Sequence, residues 1–141
     1  MRPLAYVVAV AWEIELTEQA QSWFGNLGQR DASRIAASLD ELQRSGPGLG
    51  RPFVDSVKGS RHHHMKELRS VGGNLRMLFA SDPQRRAIVL IGGDKTNDWR
   101  GWYARNIPLA DRLYDKHLRS LGDNQAWPTL RTGERSATSE R

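Results

Sequence analysis

The chain predicts an α+β fold: a small antiparallel sheet, an N-terminal helical hairpin packed on one face, and a C-terminal helix. Three observations support this. A strand-like stretch is followed by two helix-period stretches. From residue 53 the period becomes that of strands, broken by Gly and Pro turns. The last periodic stretch is helical again. Helices and strands that come in runs, without alternating, argue against a doubly wound sheet. The 141 residues suit one core. The expected domain spans 12–122. Residues 1–11 are an extension or the start of the first strand, and 123–141 a polar, disordered tail rich in Ser, Thr and Arg.

In "WEIELT", residues 12–17, Trp12, Ile14 and Leu16 alternate with Glu13 and Glu15, the period of a half-buried strand. Thr17 is placed to cap a short helix over 18–25, with Ala20, Trp23 and Phe24 on one side. "GNLGQRD" breaks it, and Asp31 is expected to cap a second helix. There Ala32, Ile35, Ala36, Leu39 and Leu42 recur at helical spacing. "SGPGLGRP", 45–52, ends that helix. "FVDSV" is a short strand, "HMKELRS" a second and "LRMLFAS" a third, the last two joined by "VGGN". After the turn "DPQR", the continuous apolar run "AIVLIGG", 87–93, belongs centrally in the sheet. "DKTNDWRGWYARN" reads as a polar loop. Pro108 then falls in the first turn of a helix whose Ala110, Leu113, Tyr114, Leu118 and Leu121 share a face, with Gly122 as its stop.

Composition narrows the chemistry. With no cysteine there is no disulfide framework, thiol nucleophile or cysteine zinc site, which fits a reducing cytoplasm, the expected location. The longest apolar run, 4–12, is too short to span a bilayer, and no small-residue cleavage site follows it. It reads as the start of a strand, with no membrane role. The net charge of +5 is unevenly placed. Residues 51–105 hold 11 basic and 5 acidic side chains, and the rest of the chain 10 and 11. A localised basic surface attracts polyanions, although an acidic protein or no partner at all would also fit it.

The charged hairpin "HHHMKELRSVGGNLRMLFASD" raises the main question. Alternation puts Met65, Glu67 and Arg69 on one face and His64, Lys66 and Leu68 on the other. Arg76 and Leu78 oppose Leu75, Met77 and Phe79. Leu68, Leu78 and the apolar run must face helices, so Lys66 or Arg76 lies at the edge of the core or in a cleft. The simpler possibility is a solvated ladder in which Glu67 pairs with Arg69 or Arg76. Consecutive His62, His63 and His64 point to opposite faces, and no third ligand is evident, so neither a metal nor a cofactor is expected. His64 alone would serve as an acid or base, and His117 reads as structural. Lys95 follows the central strand; Trp99 and Tyr103 are candidates for stacking on bases, Trp102 is expected to pack under the last helix, and Lys58, Arg61 and Arg100 are candidates for phosphate contacts. The G-x-x-x-x-G-K-[ST] spacing of a P-loop is absent. The set Lys66, Arg69, Arg76, Lys95, Tyr103 and His64 suits cleavage of RNA by its own 2′-OH. That reaction needs fixed cations around phosphorus and groups that move two protons, without a metal.

The segments "WEIELTEQAQSWFGNL", "GPGLGRPFVDSVKGSRHHHMKELRS", "NLRMLFA", "AIVLIGGDK" and "WY" followed by "IPLADRLYDKHL" resemble, in order and spacing, the RelE/ParE superfamily of bacterial toxins, specifically its HigB-like, phage-related branch. The resemblance covers roughly residues 12 to 121. It implies a small antiparallel sheet with a helical hairpin, and the toxin of a type II toxin–antitoxin pair. The implied activity is a ribosome-dependent mRNA endonuclease. The implied partners are a helix-turn-helix, HigA-like antitoxin and mRNA on the ribosome, with DNA met only through the antitoxin complex. The alternatives are a ParE-like gyrase inhibitor and an inactive antitoxin-binding module. By position, Arg76 resembles the family's phosphate-stabilising arginine and Lys95 its basic residue after the last strand. Arg69 and Lys66 lie in the strand that supplies basic residues, and Tyr103 stands for its C-terminal tyrosine. Glu67 departs from the pattern, where some relatives carry lysine, so the general base is left open.

Overall fold

The structure, a computed structural model, describes residues 11–125, with side chains to residue 122. The expectations for the N-terminal extension and for the tail from residue 126 lie outside the described residues. The elements are β1 (Ile14–Leu16), α1 (Glu18–Gly25), α2 (Gln29–Ser45), a 3-10 turn (Gly46–Gly48), β2 (Val54–Ser56), β3 (Lys66–Arg69), β4 (Leu75–Ser81), β5 (Ala87–Asp94) and α3 (Trp99–Gln125). The sheet order is β1-β5-β4-β3-β2. The pairs among β2, β3, β4 and β5 are antiparallel, and β1 joins the edge of β5 in parallel. The α+β class expected from the sequence is the observed one. The apolar run of β5 is internal, as its composition requires, while β4 takes the middle position.

Helices cover both faces of the sheet, and the alternation of β4 supplies both cores. Leu75, Met77 and Phe79 pack with Leu68, Val89, Ile35 and Leu42 beneath the α1–α2 hairpin. Leu78 and Ala80 pack with Ile88, Leu90, Trp102, Ile107, Ala110 and Tyr114 beneath α3. Each large apolar side chain so buried contributes about 1.5–3 kcal/mol. A bulge between Leu78 and Phe79 shifts the β4–β5 register, so consecutive Leu90 and Ile91 both pack on the α3 side. Beyond it, Gly92 and Gly93 lie under the rings of Trp23 and Trp102. A Cβ on Gly92 would sit 2.2 Å from Trp23, and one on Gly93 2.2 Å from Trp102. The two glycines let a tryptophan from each helical layer rest on the strand itself.

Helix ends depart from expectation in three places. Thr17 does cap α1, accepting from the Ala20 N–H at 3.1 Å while its hydroxyl donates to the Leu90 carbonyl at 2.7 Å. Asp31 does not cap α2. Gly28 takes that position, and Asp31 sits in the first turn, where its carboxylate faces the positive end of the helix dipole. The loop expected over 94–106 shortens to a turn, because α3 already starts at Trp99. Asp98 accepts from the Gly101 N–H at 3.2 Å there. Pro108 therefore lies inside α3 rather than in its first turn. It removes one intrahelical hydrogen bond, and burial of Trp102, Ile107 and Ala110 on both sides of it holds the helix together. Gly122 does not stop α3, which runs on to Gln125.

Candidate active site

Cross-strand register brings the charged groups together. Arg69 of β3 lies opposite Arg76 of β4, with Glu67 opposite Leu78, all on the face covered by α3. The first turns of α3 bring Tyr103 over this corner. Glu67 is the hub, and its side chain is 95% buried. Its Oε2 accepts from Arg69 Nε at 2.9 Å, with Arg69 Nη2 at 2.8 Å. Its Oε1 accepts from the Tyr103 hydroxyl and lies 3.9 Å from Arg76 Nε. Arg69 Nη2 also donates to Asp55 of β2 at 3.0 Å. From the other layer, the Ser38 hydroxyl of α2 donates to the Arg69 carbonyl at 2.8 Å, tying the strand behind the site to the helical hairpin. A cleft of about 300 Å³, lined by Asp55, Ser56, Val57, Lys58, Glu67, Arg69, Tyr103 and Ile107, opens over Glu67, Arg69 and Tyr103, while Arg76 and Lys95 are not among its lining residues.

Arg76 is the least satisfied member. Its side chain is 91% buried. Nη1 donates to the carbonyls of Gly73 at 3.1 Å and Leu75 at 2.9 Å, whereas Nε is buried without a hydrogen-bond partner. Such a buried donor is costly unless an acceptor arrives. Lys95, just past β5, has its ammonium pKa lowered, first by partial burial and then by repulsion from the Arg76 guanidinium. Tyr103 is pushed up to about 12 by burial and by its bond to Glu67. At neutral pH it is therefore a proton donor and not a base.

The structure brings together Arg69, Arg76, Lys95 and Tyr103, and places Lys58 at the cleft mouth. It does not bring the other expected residues to this point. Lys66 alternates with Glu67 and so faces the opposite side of the sheet, beside Leu49 and Arg51. His64 is exposed in the turn before β3, its ring edge-on to His63. Arg61 is drawn away to α3, 2.6 Å from Asp115, which also bonds His62 at 2.8 Å. Twelve residues separate Tyr103 from Asp115 on the helix, an axial distance of roughly 18 Å. Trp99 and Arg100 stand on the first turn of α3, beside Tyr103. His117 is a structural tether, as expected: it bonds buried Asp82 at 2.9 Å. Asp55 and Ser38 were not foreseen as site residues. Asp55 depends on the pairing register of β2, which three residues of sequence do not specify, and Ser38 interrupts the apolar stripe of α2 as a buried polar residue.

Comparison with known proteins bears on the family and the fold. Residues 22–115 match the family model described as phage derived protein Gp49-like. The chain is 46% identical over 105 residues to a Mycobacterium tuberculosis protein provisionally designated toxin HigB3, an alignment covering 74% of this chain and 92% of that protein. It is 39% identical over 120 residues to a second protein of that organism, provisionally designated toxin HigB2, covering 83% of this chain and 59% of that protein. Among solved structures, the archaeal RelE–RelB complex from Pyrococcus horikoshii superposes with a TM-score of 0.50 at 15% identity, over 62% of this chain and 98% of that one. A variant of the E. coli toxin RelE bound to a peptide of its antitoxin RelB superposes with a TM-score of 0.52 at 14% identity, over 67% of this chain and 94% of that one. At these identities the structures establish a shared fold, and the sequence matches establish the kinship: the chain belongs to the Gp49-like phage-derived family, with the HigB-type proteins as its relatives.

Proposed function

We propose that this chain is the toxin of a type II toxin–antitoxin pair, and that it acts in the cytoplasm by cutting mRNA on the ribosome. The observation that carries the reading is the buried Arg76 Nε with no hydrogen-bond partner, 3.9 Å from the Glu67 carboxylate. In this reading a scissile phosphate enters the cleft at Glu67 and, with Arg76 turning out towards it, supplies the missing acceptor. Arg76 and Lys95 then hold the charge that grows on phosphorus as the 2′-oxygen attacks. Glu67 is the carboxylate at the centre of the cluster and takes the 2′-OH proton. Lys95, whose proton is loosened by burial and by Arg76, supplies a proton to the departing 5′-oxygen. Tyr103 stays protonated and orients Glu67. The cut leaves a 2′,3′-cyclic phosphate and a 5′-hydroxyl, with no metal in the step. A helix-turn-helix antitoxin is the partner that covers the site, and DNA is reached only through that complex.

End-group analysis of mRNA cut in a translating extract tests the chemistry. Cyclic phosphate and 5′-hydroxyl ends support it, and 5′-phosphate ends contradict it. One observation favours a second reading, in which the chain acts by binding a protein such as gyrase. Asp55 and Glu67 already engage Arg69, which leaves fewer free cations than the sequence implies. Arrested growth with intact mRNA would support that reading.

A further inference from the structure

Among the described residues, two large hydrophobic side chains stand exposed, Val71 and Trp99, and Trp99 has 54% of its surface in solvent. Val71 occupies the turn between β3 and β4. Trp99 opens α3, yet the fold makes little use of it. Asp98 caps the helix there, and Trp102 packs on Gly93. What Trp99 does have is a set of neighbours suited to a nucleobase. The Arg100 guanidinium lies over its ring, 5.2 Å from the centroid. Tyr103 meets it edge-on, with centroids 6.5 Å apart and planes at 77°. Tyr103 in turn reaches Glu67 at the centre of the cleft. The open indole is thus one aromatic ring away from the phosphate seat.

Resting on the nuclease reading above, we propose that Trp99 is the stacking platform for the base of the nucleotide adjoining the scissile phosphate, with Arg100 pairing a flanking phosphate. Charge decides for RNA over a protein surface at this position. Arg100 lies over the ring and Lys95 stands in the turn that leads into it, while the nearby carboxylates are already used: Asp98 bonds Arg105 at 3.0 Å, and Asp94 bonds the Thr96 hydroxyl and N–H. A flat aromatic face beside fixed cations is how proteins hold unpaired nucleotides, and it selects among bases by stacking strength. Trp99 would therefore set a base preference at the cut, which the phosphate-binding groups themselves cannot do.

The test is to map mRNA cuts after brief induction of the full chain carrying Trp99, Trp99→Phe or Trp99→Leu. Being exposed, Trp99 tolerates both changes in the fold, and a thermal melt verifies this. Stacking predicts cutting about five- to 150-fold weaker in Trp99→Leu, with base preference beside the cut flattened. Trp99→Phe keeps the wild-type sites at a smaller loss. Trp99→Leu cutting the same sites at the same rate would overturn the platform while leaving the nuclease reading intact. Intact mRNA with the unmutated chain would instead remove the nuclease reading and the platform with it.

Discussion

At the scale of single residues, Arg76 has the strongest geometric requirement. Its guanidinium is held by two backbone carbonyls, and its Nε waits for an acceptor. Arg76→Ala should reduce mRNA cutting roughly 10²–10³-fold, as the loss of a fixed transition-state donor does, measured as product formed per minute in a translating extract. Arg76→Lys should recover little, because a single ammonium cannot reproduce the fork. Tyr103 offers a test independent of activity. Its phenol is pushed up to about 12 by burial and by Glu67. A raised pKa means the neutral phenol is favoured in the folded state. Stability from it is complete below the ordinary value near 10 and is lost as the pH rises towards 12. Spectrophotometric titration should show a late phenolate transition that disappears in Tyr103→Phe. The alternation of β3 and β4 already showed in the sequence that Arg69, Glu67 and Arg76 could meet. It did not show that Glu67 would hold Arg69 and the Tyr103 hydroxyl at once, because that needs the position of α3.

Elements explain where the sequence was opaque. "DKTNDWRGWYARN" is polar and rich in turn formers, so local propensity favours a loop. Burial of Trp102 on Gly93 outweighs this and starts α3 at Trp99, nine residues before Pro108, moving Tyr103 onto a rigid helix. Strand and helix are fitted to one another at that contact. Gly93→Ala would press a methyl into the Trp102 ring and should destabilise the protein by about 1–3 kcal/mol, read as a lower denaturation midpoint, and should disturb Tyr103 as well. At the far end, α3 is tied to the β4–β5 turn through Asp82, which takes hydrogen bonds from His117 at 2.9 Å and Arg86 at 2.8 Å. Burial raises the Asp82 pKa, but the bonds from His117 and Arg86 outweigh it and hold it below the ordinary 3.8. A depressed carboxyl gives stability that is present above 3.8 and lost as the pH falls through the folded value. Melts taken from pH 5 downward should lose stability less steeply in Asp82→Asn than in the parent chain.

For the whole molecule, the sheet separates two tasks. Its α1–α2 face is a core closed by Ile35, Leu42 and Phe79, and its α3 face carries both a core and, at one corner, the charged cleft. The class of the fold was legible because period, turns and the order of runs are local properties. The parallel seating of β1 on β5 was not, since three residues carry no information on direction. The basic excess over 51–105 was legible as well, but the structure divides it. Arg51, Arg61, Arg86 and Arg105 are committed to carboxylates, and Lys66 faces the other side of the sheet, so only part of this basic excess is available at the cleft. RNA binding should accordingly weaken with salt along a shallow slope, roughly that of two to four phosphate contacts, in a titration from 50 to 200 mM salt. The central claim is that this corner cuts RNA and that Arg76 is the group on which the cut depends. Mapping mRNA ends after brief induction of the chain and of Arg76→Ala tests it most directly. Cuts within translated frames that vanish in Arg76→Ala are the expected result, and cuts that persist in Arg76→Ala would contradict it.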